Sequence, residues 1–179
     1  MELKKIRKVN SVDSTSFKNL NSGATFSKCK IYRYRLWRIW DAKKPRVLFI
    51  MLNPSTAGST MDDPTIKRCI GFAKSWGYGG LYVGNLFAYR STQPKGLLKL
   101  NDAEGKQNQT HLLEMSKLCK IGVCAWGNQS IINKINPNYQ LKNLSIPLFY
   151  IELSKGGTPK HPLYLNSNLR PKPSYTNLK

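Results

Sequence analysis

Four apolar segments, separated by segments of helical character, constrain the fold of this chain more than any other feature of its sequence. They cover residues 46–52, 81–87, 120–126 and 146–153. Continuous apolar runs of this length are typical of strands that are buried on both faces, and parallel strands are joined by crossovers that are usually helical. The sequence therefore predicts an α/β fold, a three-layer α/β/α sandwich around a central, mostly parallel sheet of four strands.

The segments that follow the first three apolar runs carry the helix signals. Asp63 can accept hydrogen bonds from the free N–H groups of a helix N-terminus, Pro64 suits the first turn, and Gly77 can end the helix. The segments 101–118 and 127–135 follow the second and third apolar runs. We predict helices in both of these segments as well.

The remaining segments flank this alternation. Residues Ile31–Trp40 alternate apolar or aromatic side chains with Arg, which predicts a strand with one solvent-exposed, positive face. Residues 1–29 are polar, basic and without periodicity. The predicted organisation is a loosely ordered basic arm over residues 1–29, an α/β domain over residues 30–168 and a basic tail over residues 169–179.

The charge of the chain points to a polyanionic partner. It has 29 Lys and Arg residues against 9 Asp and Glu residues, which gives a net charge of +20. A charge of this size repels itself in a compact protein, and a polyanion offsets the repulsion. Because the basic residues are spread along the whole chain, we predict nucleic acid as the partner, ahead of an anionic membrane surface.

Other compositional features exclude several classes of protein. No apolar run approaches the ~18 residues of a membrane span, and the N-terminus lacks the apolar core of a signal peptide. We therefore expect a cytoplasmic monomer with no membrane partner. The four cysteines form no C-x-x-C pair and there are only two histidines, so we predict structural thiols, no zinc and no iron–sulfur cluster.

Polar segments follow the carboxyl ends of all four predicted strands. These segments are Asn53-Pro54-Ser55, Asn85 through Arg90, Trp126-Gly127-Asn128, and the loop that reaches His161. Ligands of open α/β sheets bind at the carboxyl ends of the strands. The sequence therefore predicts one polar site at this edge of the sheet.

Four of these segments resemble, in order, motifs of the uracil-DNA glycosylase superfamily. MLNPS resembles the water-activating motif, and NLFAYRSTQP resembles the segment whose leading Asn hydrogen-bonds the extruded base. CAWGNQS is similar to a Leu-Trp-Gly-x-x-Ala segment, and KHPLYL resembles the His-Pro-Ser motif that enters the minor groove. Met51 replaces the Gly of the first motif, and Leu163-Tyr164 replace the Ser of the last. Over about residues 30–168 the chain also resembles a family of bacterial and phage proteins of unknown function.

The resemblance implies roles for three polar side chains. Asn53 would hold the attacking water against C1′ of a sugar that becomes oxocarbenium-like as the base departs. Asn85 would pair with the edge of a pyrimidine, and His161 would hydrogen-bond the base oxygen that gains negative charge. The alternatives are a turn residue before proline, a strand-end residue that pairs with backbone groups, and an exposed loop histidine. His111 is expected on a helix surface without a role.

Several further residues are candidates for the site. Asp62 and Asp63 are the second candidates for activating the water, and for Asp63 helix capping is the preferred interpretation, which leaves Asp62. Phe87 is a candidate to stack on the flipped base, with core packing as the alternative. Tyr164 and Leu165 are candidates for the wedge that fills the gap left by that base. The residues expected to face DNA phosphates are Arg90, Lys160, Arg170 and Lys172.

The residue after the motif proline bears on which base is removed. In the uracil-specific branch this residue is a Tyr that excludes thymine by occupying the space beside C5 of the pyrimidine. Here it is Ser55, followed by Thr56, and neither side chain fills that space. The resemblance therefore implies a base pocket that is open at C5, where the hydroxyl groups of Ser55, Thr56 and Ser59 can bind a polar substituent.

These expectations define a function. We expect a monofunctional DNA glycosylase without a cofactor, which flips a base out of double-stranded DNA, removes it hydrolytically and leaves an abasic site. The expected base is a 5-modified pyrimidine, such as the hydroxymethyl- or glucosyl-cytosine of phage DNA, and this implies antiviral defence. The alternatives are a uracil or mismatch repair glycosylase and a non-catalytic module that binds nucleic acid or nucleotides. The chain lacks the G-x-x-x-x-G-K and G-x-S-x-G motifs of other hydrolases.

Overall fold

A computed structural model describes residues 21–127 and 130–174 of the chain. Most of the predicted N-terminal arm, residues 1–20, lies outside the described residues, as do Asn128 and the end of the predicted tail, residues 175–179. None of the helices in the described ranges is long and apolar enough to span a membrane.

The described residues form seven strands, three α-helices and three short 3-10 turns. The strands are β1 (Ser22–Phe26), β2 (Arg33–Ile39), β3 (Arg46–Met51), β4 (Gly80–Asn85), β5 (Ile121–Cys124), β6 (Leu148–Tyr150) and β7 (Lys172–Pro173). The helices are α1 (Pro64–Ser75), α2 (Asn108–Lys117) and α3 (Pro137–Leu141). The 3-10 turns are Pro94–Lys99, Ser130–Lys134 and Pro162–Tyr164.

All seven strands belong to one mixed sheet with the order β1-β2-β4-β3-β5-β6-β7. The four central strands β4, β3, β5 and β6 pair in parallel, and they are the four apolar runs of the sequence. The predicted α/β class with its parallel centre is therefore confirmed. The predicted size of the sheet is wrong, because β1, β2 and β7 add antiparallel pairs at its two edges.

The two outermost strands lie in segments that we predicted to be an arm and a tail. β1 pairs with β2 along its length, and a Cβ atom on Gly23 would lie only 2.2 Å from the ring of Trp37. β7 pairs with the residues of β6 over two positions, Phe149 with Pro173 and Tyr150 with Lys172. Residues 22–26 and 172–173 therefore belong to the sheet, and both strands are too short and too poor in apolar residues to show a period of two in the sequence.

Each face of the sheet carries its own apolar core. Helix α1 packs Ile66 and Phe72 on one face, and α2 packs Leu112 and Met115 on the other. Helix α1 begins as predicted, because the N–H of Ile66 donates to Oδ1 of the capping Asp63 at 2.9 Å. In the segment 127–135, where we predicted a helix, the structure has a 3-10 turn.

The arginines of β2 are buried, contrary to the predicted solvent-exposed face. Arg33, Arg35 and Arg38 are 3%, 5% and 7% exposed. Arg33 donates to a backbone carbonyl at 2.7 Å, while Arg35 and Arg38 form ion pairs with Glu114 and Asp62. Buried charges persist when they are paired and hydrogen-bonded. The alternation of Arg with apolar residues therefore reflects paired cations beneath covering segments, and not a wet face.

Candidate active site at the carboxyl ends of the strands

A cavity of about 180 Å³ lies at the carboxyl ends of the central strands. Asn53 and Ser55 reach it from the segment after β3, Asn85 is the last residue of β4, and Trp126 follows β5. His161 reaches the same cavity from the loop after β6. We call this space the base cavity, after the base that the sequence prediction expects there, and it brings together the three polar residues on which that prediction depends.

The side-chain amide of Asn53 is oriented by two backbone carbonyls. Its Nδ2 donates to the carbonyl oxygen of Ser91 at 2.7 Å and to that of Pro54 at 3.1 Å. Both amide hydrogens are thereby used, and Oδ1 remains as the acceptor of the side chain. An amide with a fixed orientation and an available acceptor can position a water molecule.

Asn85 is the most unusual polar residue of the cavity. It is 1% exposed, yet neither Oδ1 nor Nδ2 has a hydrogen-bond partner within the described part of the chain. The backbone carbonyl of Asn85 accepts a hydrogen bond from Nδ2 of Asn108 at 2.8 Å, so the side chain of Asn85 is not needed to satisfy the end of the strand. Buried polar groups are almost always paired, and this amide therefore offers one donor and one acceptor to a bound group.

His161 is half-buried and is fixed by its own backbone. Its Nδ1 accepts a long hydrogen bond from the N–H of Leu163 at 3.4 Å, which places the proton of a neutral ring on Nε2. Burial lowers the pKa of His161, although the nearby carboxylate of Asp63 acts in the opposite direction. Gly127, with φ of 80°, allows the close approach, since a Cβ atom there would lie 3.1 Å from Cβ of His161.

Two charged residues also line the cavity: Asp63, for which the sequence favoured helix capping over water activation, and Arg33, which was not a candidate. Asp63 lines the cavity while its Oδ1 caps helix α1. Arg33 also lines it, and its Nε has no partner among the described residues. Burial lowers the pKa of Arg33 to about 10, whereas attraction to Asp63 raises it, so Arg33 stays charged at neutral pH.

Comparison with known proteins gives one match. The family described as a protein of unknown function (DUF1643) matches residues 33–163. The chain belongs to this family. The matched residues span the whole lining of the base cavity, from Arg33 to His161. No curated protein and no solved structure matches the chain.

The structure of this DUF1643 protein corrects the second candidate for water activation. Asp62 does not line the base cavity, because its Oδ1 accepts from Nε of Arg38 at 2.8 Å and lies 2.7 Å from the second guanidinium nitrogen. The adjacent Asp63 lines the cavity instead. Consecutive residues of an extended segment point to opposite sides, which separates the two carboxylates.

Two apolar candidates belong to the core. Phe87 is 7% exposed and packs in the cluster on the α2 face of the sheet, so it is not available to stack on a base in the cavity. Leu165 is 8% exposed and packs with the α1 face, so it is not an exposed wedge. Tyr164 differs from both, because it is 90% exposed at the end of a 3-10 turn that begins next to His161.

The four basic residues expected to face phosphates lie outside the base cavity. Arg90 packs over a phenylalanine ring at 5.1 Å, Lys160 forms an ion pair with Glu152, and Arg170 donates to a backbone carbonyl at 2.7 Å. Lys172 is exposed on β7. Thr56 and Arg90 line an adjoining open cleft.

This cleft of about 640 Å³ adjoins the base cavity. The two spaces share Ser55, Ser91 and Thr92. The far side of the cleft carries Tyr89 and the cations Lys30 and Arg90. The shared residues place three hydroxyl groups where the cavity and the cleft adjoin. A separate apolar cavity of about 410 Å³ lies on the other side of Trp126 and includes none of the predicted site residues.

Proposed function

We propose that this protein is a monofunctional DNA glycosylase of the uracil-DNA glycosylase type, which removes a flipped base and leaves an abasic site. The observation that carries the proposal is the unpaired, 1% exposed amide of Asn85 in a cavity that also contains Asn53 and His161. An unpaired buried polar group costs about 1–3 kcal/mol. The edge of a pyrimidine supplies both the donor and the acceptor that this amide lacks.

The proposed reaction assigns one task to each of three side chains. The bond between the base and C1′ breaks, and its electron pair leaves with the base. Nε2–H of neutral His161 donates to the base oxygen that gains charge, while Oδ1 of Asn53 accepts from the water that attacks C1′. Asn85 holds the edge of the base. No step of this reaction calls for a cofactor.

The surface around the cavity suits DNA. Tyr164 is exposed beside the His161 turn and is the proposed wedge that replaces the flipped base in the stack. The net charge of +20 favours binding to phosphates in the absence of any base contact. We propose Arg90, Arg170 and Lys172 among the phosphate contacts.

The cleft beyond Ser55 supports a 5-substituted pyrimidine as the substrate. Ser55 lies at the junction of the cavity and the cleft, so a polar C5 substituent, such as a hydroxymethyl or glucosyl group, extends into a space lined by hydroxyls and Tyr89. Such bases are those of modified phage DNA, and a role in defence follows from this proposal. An unmodified pyrimidine is the alternative, because the base cavity of about 180 Å³ is small and suits a single ring.

The test is a panel of matched duplexes that carry uracil, thymine opposite guanine, 5-hydroxymethylcytosine or glucosylated 5-hydroxymethylcytosine. Abasic sites are scored as alkali-labile breaks under single-turnover conditions. We expect efficient release of the glucosylated base, and a loss of about 10²-fold or more in Asn53→Ala, on the scale of a lost positioning group.

The control variant is Asn136→Ala, at an exposed asparagine that caps α3 and is not part of the cavity lining. It should retain the wild-type rate. Release of uracil alone would contradict the modified substrate. Tight DNA binding without abasic sites in any duplex would contradict glycosylase activity and favour a binding module.

A further inference from the structure

We infer that Asp63 is a second catalytic residue of the base cavity, whose carboxylate accepts the proton of the water that Asn53 orients. The inference rests on the proposed glycosylase function. It assigns to the N-cap of α1 a chemical role in addition to its structural one.

The position of the Asp63 carboxylate supports this role. Asp63 is the single acidic residue among the described residues that line the cavity, and it lines it together with Asn53, Asn85 and His161. The unpaired, 1% exposed amide of Asn85 in the same cavity is an independent observation that points to a polar ligand in this space.

The two oxygens of the Asp63 carboxylate are not used equally in the cap. Oδ1 of Asp63 accepts from the N–H of Ile66 at 2.9 Å, which fixes the side chain at the start of α1. A carboxylate has about four acceptor sites on two oxygens, so capping leaves capacity for a water molecule. Capping therefore orients the Asp63 carboxylate and leaves acceptor sites for a water molecule.

The charged groups around Asp63 also support this role. Arg33 lines the same cavity, is 3% exposed and has an Nε atom without a partner in the described ranges. Burial lowers the pKa of both Arg33 and His161, and the negative charge of Asp63 opposes this shift in each of them. A negative carboxylate also stabilises the positive charge that develops on the sugar.

Asn53 and Asp63 would have different tasks in the reaction. A neutral amide orients water but cannot take up a proton, whereas a carboxylate can. In the proposed step, the oxygen of water bonds to C1′ as the bond to the base breaks with its electron pair. The proton of the water passes to Asp63 and then to solvent, and the released base takes up a proton from solvent.

Asp63→Asn is the decisive variant, because Asn caps helices as well as Asp does but cannot accept the proton. We expect a midpoint of thermal unfolding close to that of the wild type and a single-turnover rate of base release reduced about 10²- to 10⁴-fold. The duplex is the one from which the wild-type protein releases a base fastest.

The matched control is Asp102→Asn. Asp102 accepts from the N–H of Gly105 at 2.9 Å, which is the same type of bond three residues along the chain, and it does not line the base cavity. It should retain the wild-type rate. A rate for Asp63→Asn equal to that of this control would overturn the inference.

A rescue experiment separates chemistry from folding. Asp63→Ser keeps a good capping oxygen and opens space in the cavity for a small carboxylate. Added formate should restore part of its rate and should not accelerate the wild type or Asp102→Asn. Lack of any rescue in a folded Asp63→Ser protein would count against the inference. A wild-type protein that releases no base from any duplex would instead overturn the proposed function itself.

Discussion

Ser55 lines both the base cavity and the adjoining open cleft, so the size of its side chain bears on whether a C5 substituent can pass from one to the other. In Ser55→Tyr, the ring should close this junction. We expect release of a glucosylated cytosine to fall about 10²-fold or more, since a filled pocket rejects by steric exclusion, with little change for an unsubstituted pyrimidine. The measurement is the ratio of single-turnover rates on the two duplexes.

The control for this variant is Ser59→Tyr. Ser59, which we also predicted beside C5, is exposed in the same loop and lines neither the cavity nor the cleft. It should leave the ratio of rates unchanged. An unchanged ratio in Ser55→Tyr as well would show that the C5 substituent does not pass this residue.

At the scale of single residues, sequence alone located the polar groups and missed the charged ones. Asn53, Asn85 and His161 follow strand ends, so the parallel topology brings them to one edge. Asp63 was assigned to capping, and the capping is confirmed. That one carboxylate can cap a helix and line a cavity is visible only when the loop geometry is known, and the same holds for the buried Arg33.

At the scale of elements, a bulge in β2 interrupts the alternation of its side chains. Thr25 pairs with Arg35 and the next residue, Phe26, pairs with Arg33, which leaves Tyr34 as the extra residue. Such a bulge turns neighbouring side chains to one side of the sheet, and both Tyr34 and Arg35 contact α2. A bulge shifts the period of two, so the alternating pattern misled the sequence prediction.

The residues at this bulge contact His111 of α2, which we expected on the helix surface without a role. Tyr34 stacks on its ring with centroids 4.7 Å apart, and Nε of Arg35 donates to its Nδ1. Burial and the charge of Arg35 lower the pKa of His111 to about 4. The folded protein therefore keeps this ring neutral over a range in which the unfolded chain, with an ordinary pKa of about 6.5, takes up a proton.

His111→Gln should remove this contribution to the pH dependence of stability. Because the pKa of His111 is lower in the folded state, the free energy of unfolding should decrease as the pH falls from about 6.5 to about 4. Gln keeps an acceptor for Arg35 but does not titrate, so the curve of the variant should be flatter in that range. Denaturant unfolding at a series of pH values measures this, and parallel curves for the two proteins would contradict the assignment.

The central strands were predictable because each buries both faces and so consists of apolar residues. The strands at the edges of the sheet were not predicted, for the opposite reason. β1 and β7 are held by backbone pairing at positions where few side chains are buried, and backbone pairing leaves no pattern in the sequence. The segment after β5 was predicted as a helix, but Ser130–Lys134 form a single 3-10 turn.

At the scale of the whole molecule, the charge is positive even after local pairing. The described ion pairs use Asp41, Asp62, Glu114 and Glu152, each with one Lys or Arg partner. With 29 basic and 9 acidic residues in the chain, most cations have no carboxylate to neutralise them. These cations are available to displace counterions from a nucleic acid backbone, and this displacement makes affinity depend on salt.

We therefore expect the affinity for unmodified duplex DNA to fall steeply with salt, with a slope of log K against log salt of about −0.9 for each phosphate contacted. Lys172→Gln removes a cation on exposed β7 and should make the slope shallower by about one phosphate contact. Lys160→Gln is the matched control, because Lys160 is already paired with Glu152 and should change the slope less. Fluorescence anisotropy over a series of salt concentrations gives all three slopes. A flat dependence for the wild type would contradict DNA as the partner, since neutralised phosphates are the unavoidable consequence of binding a polyanion with these cations.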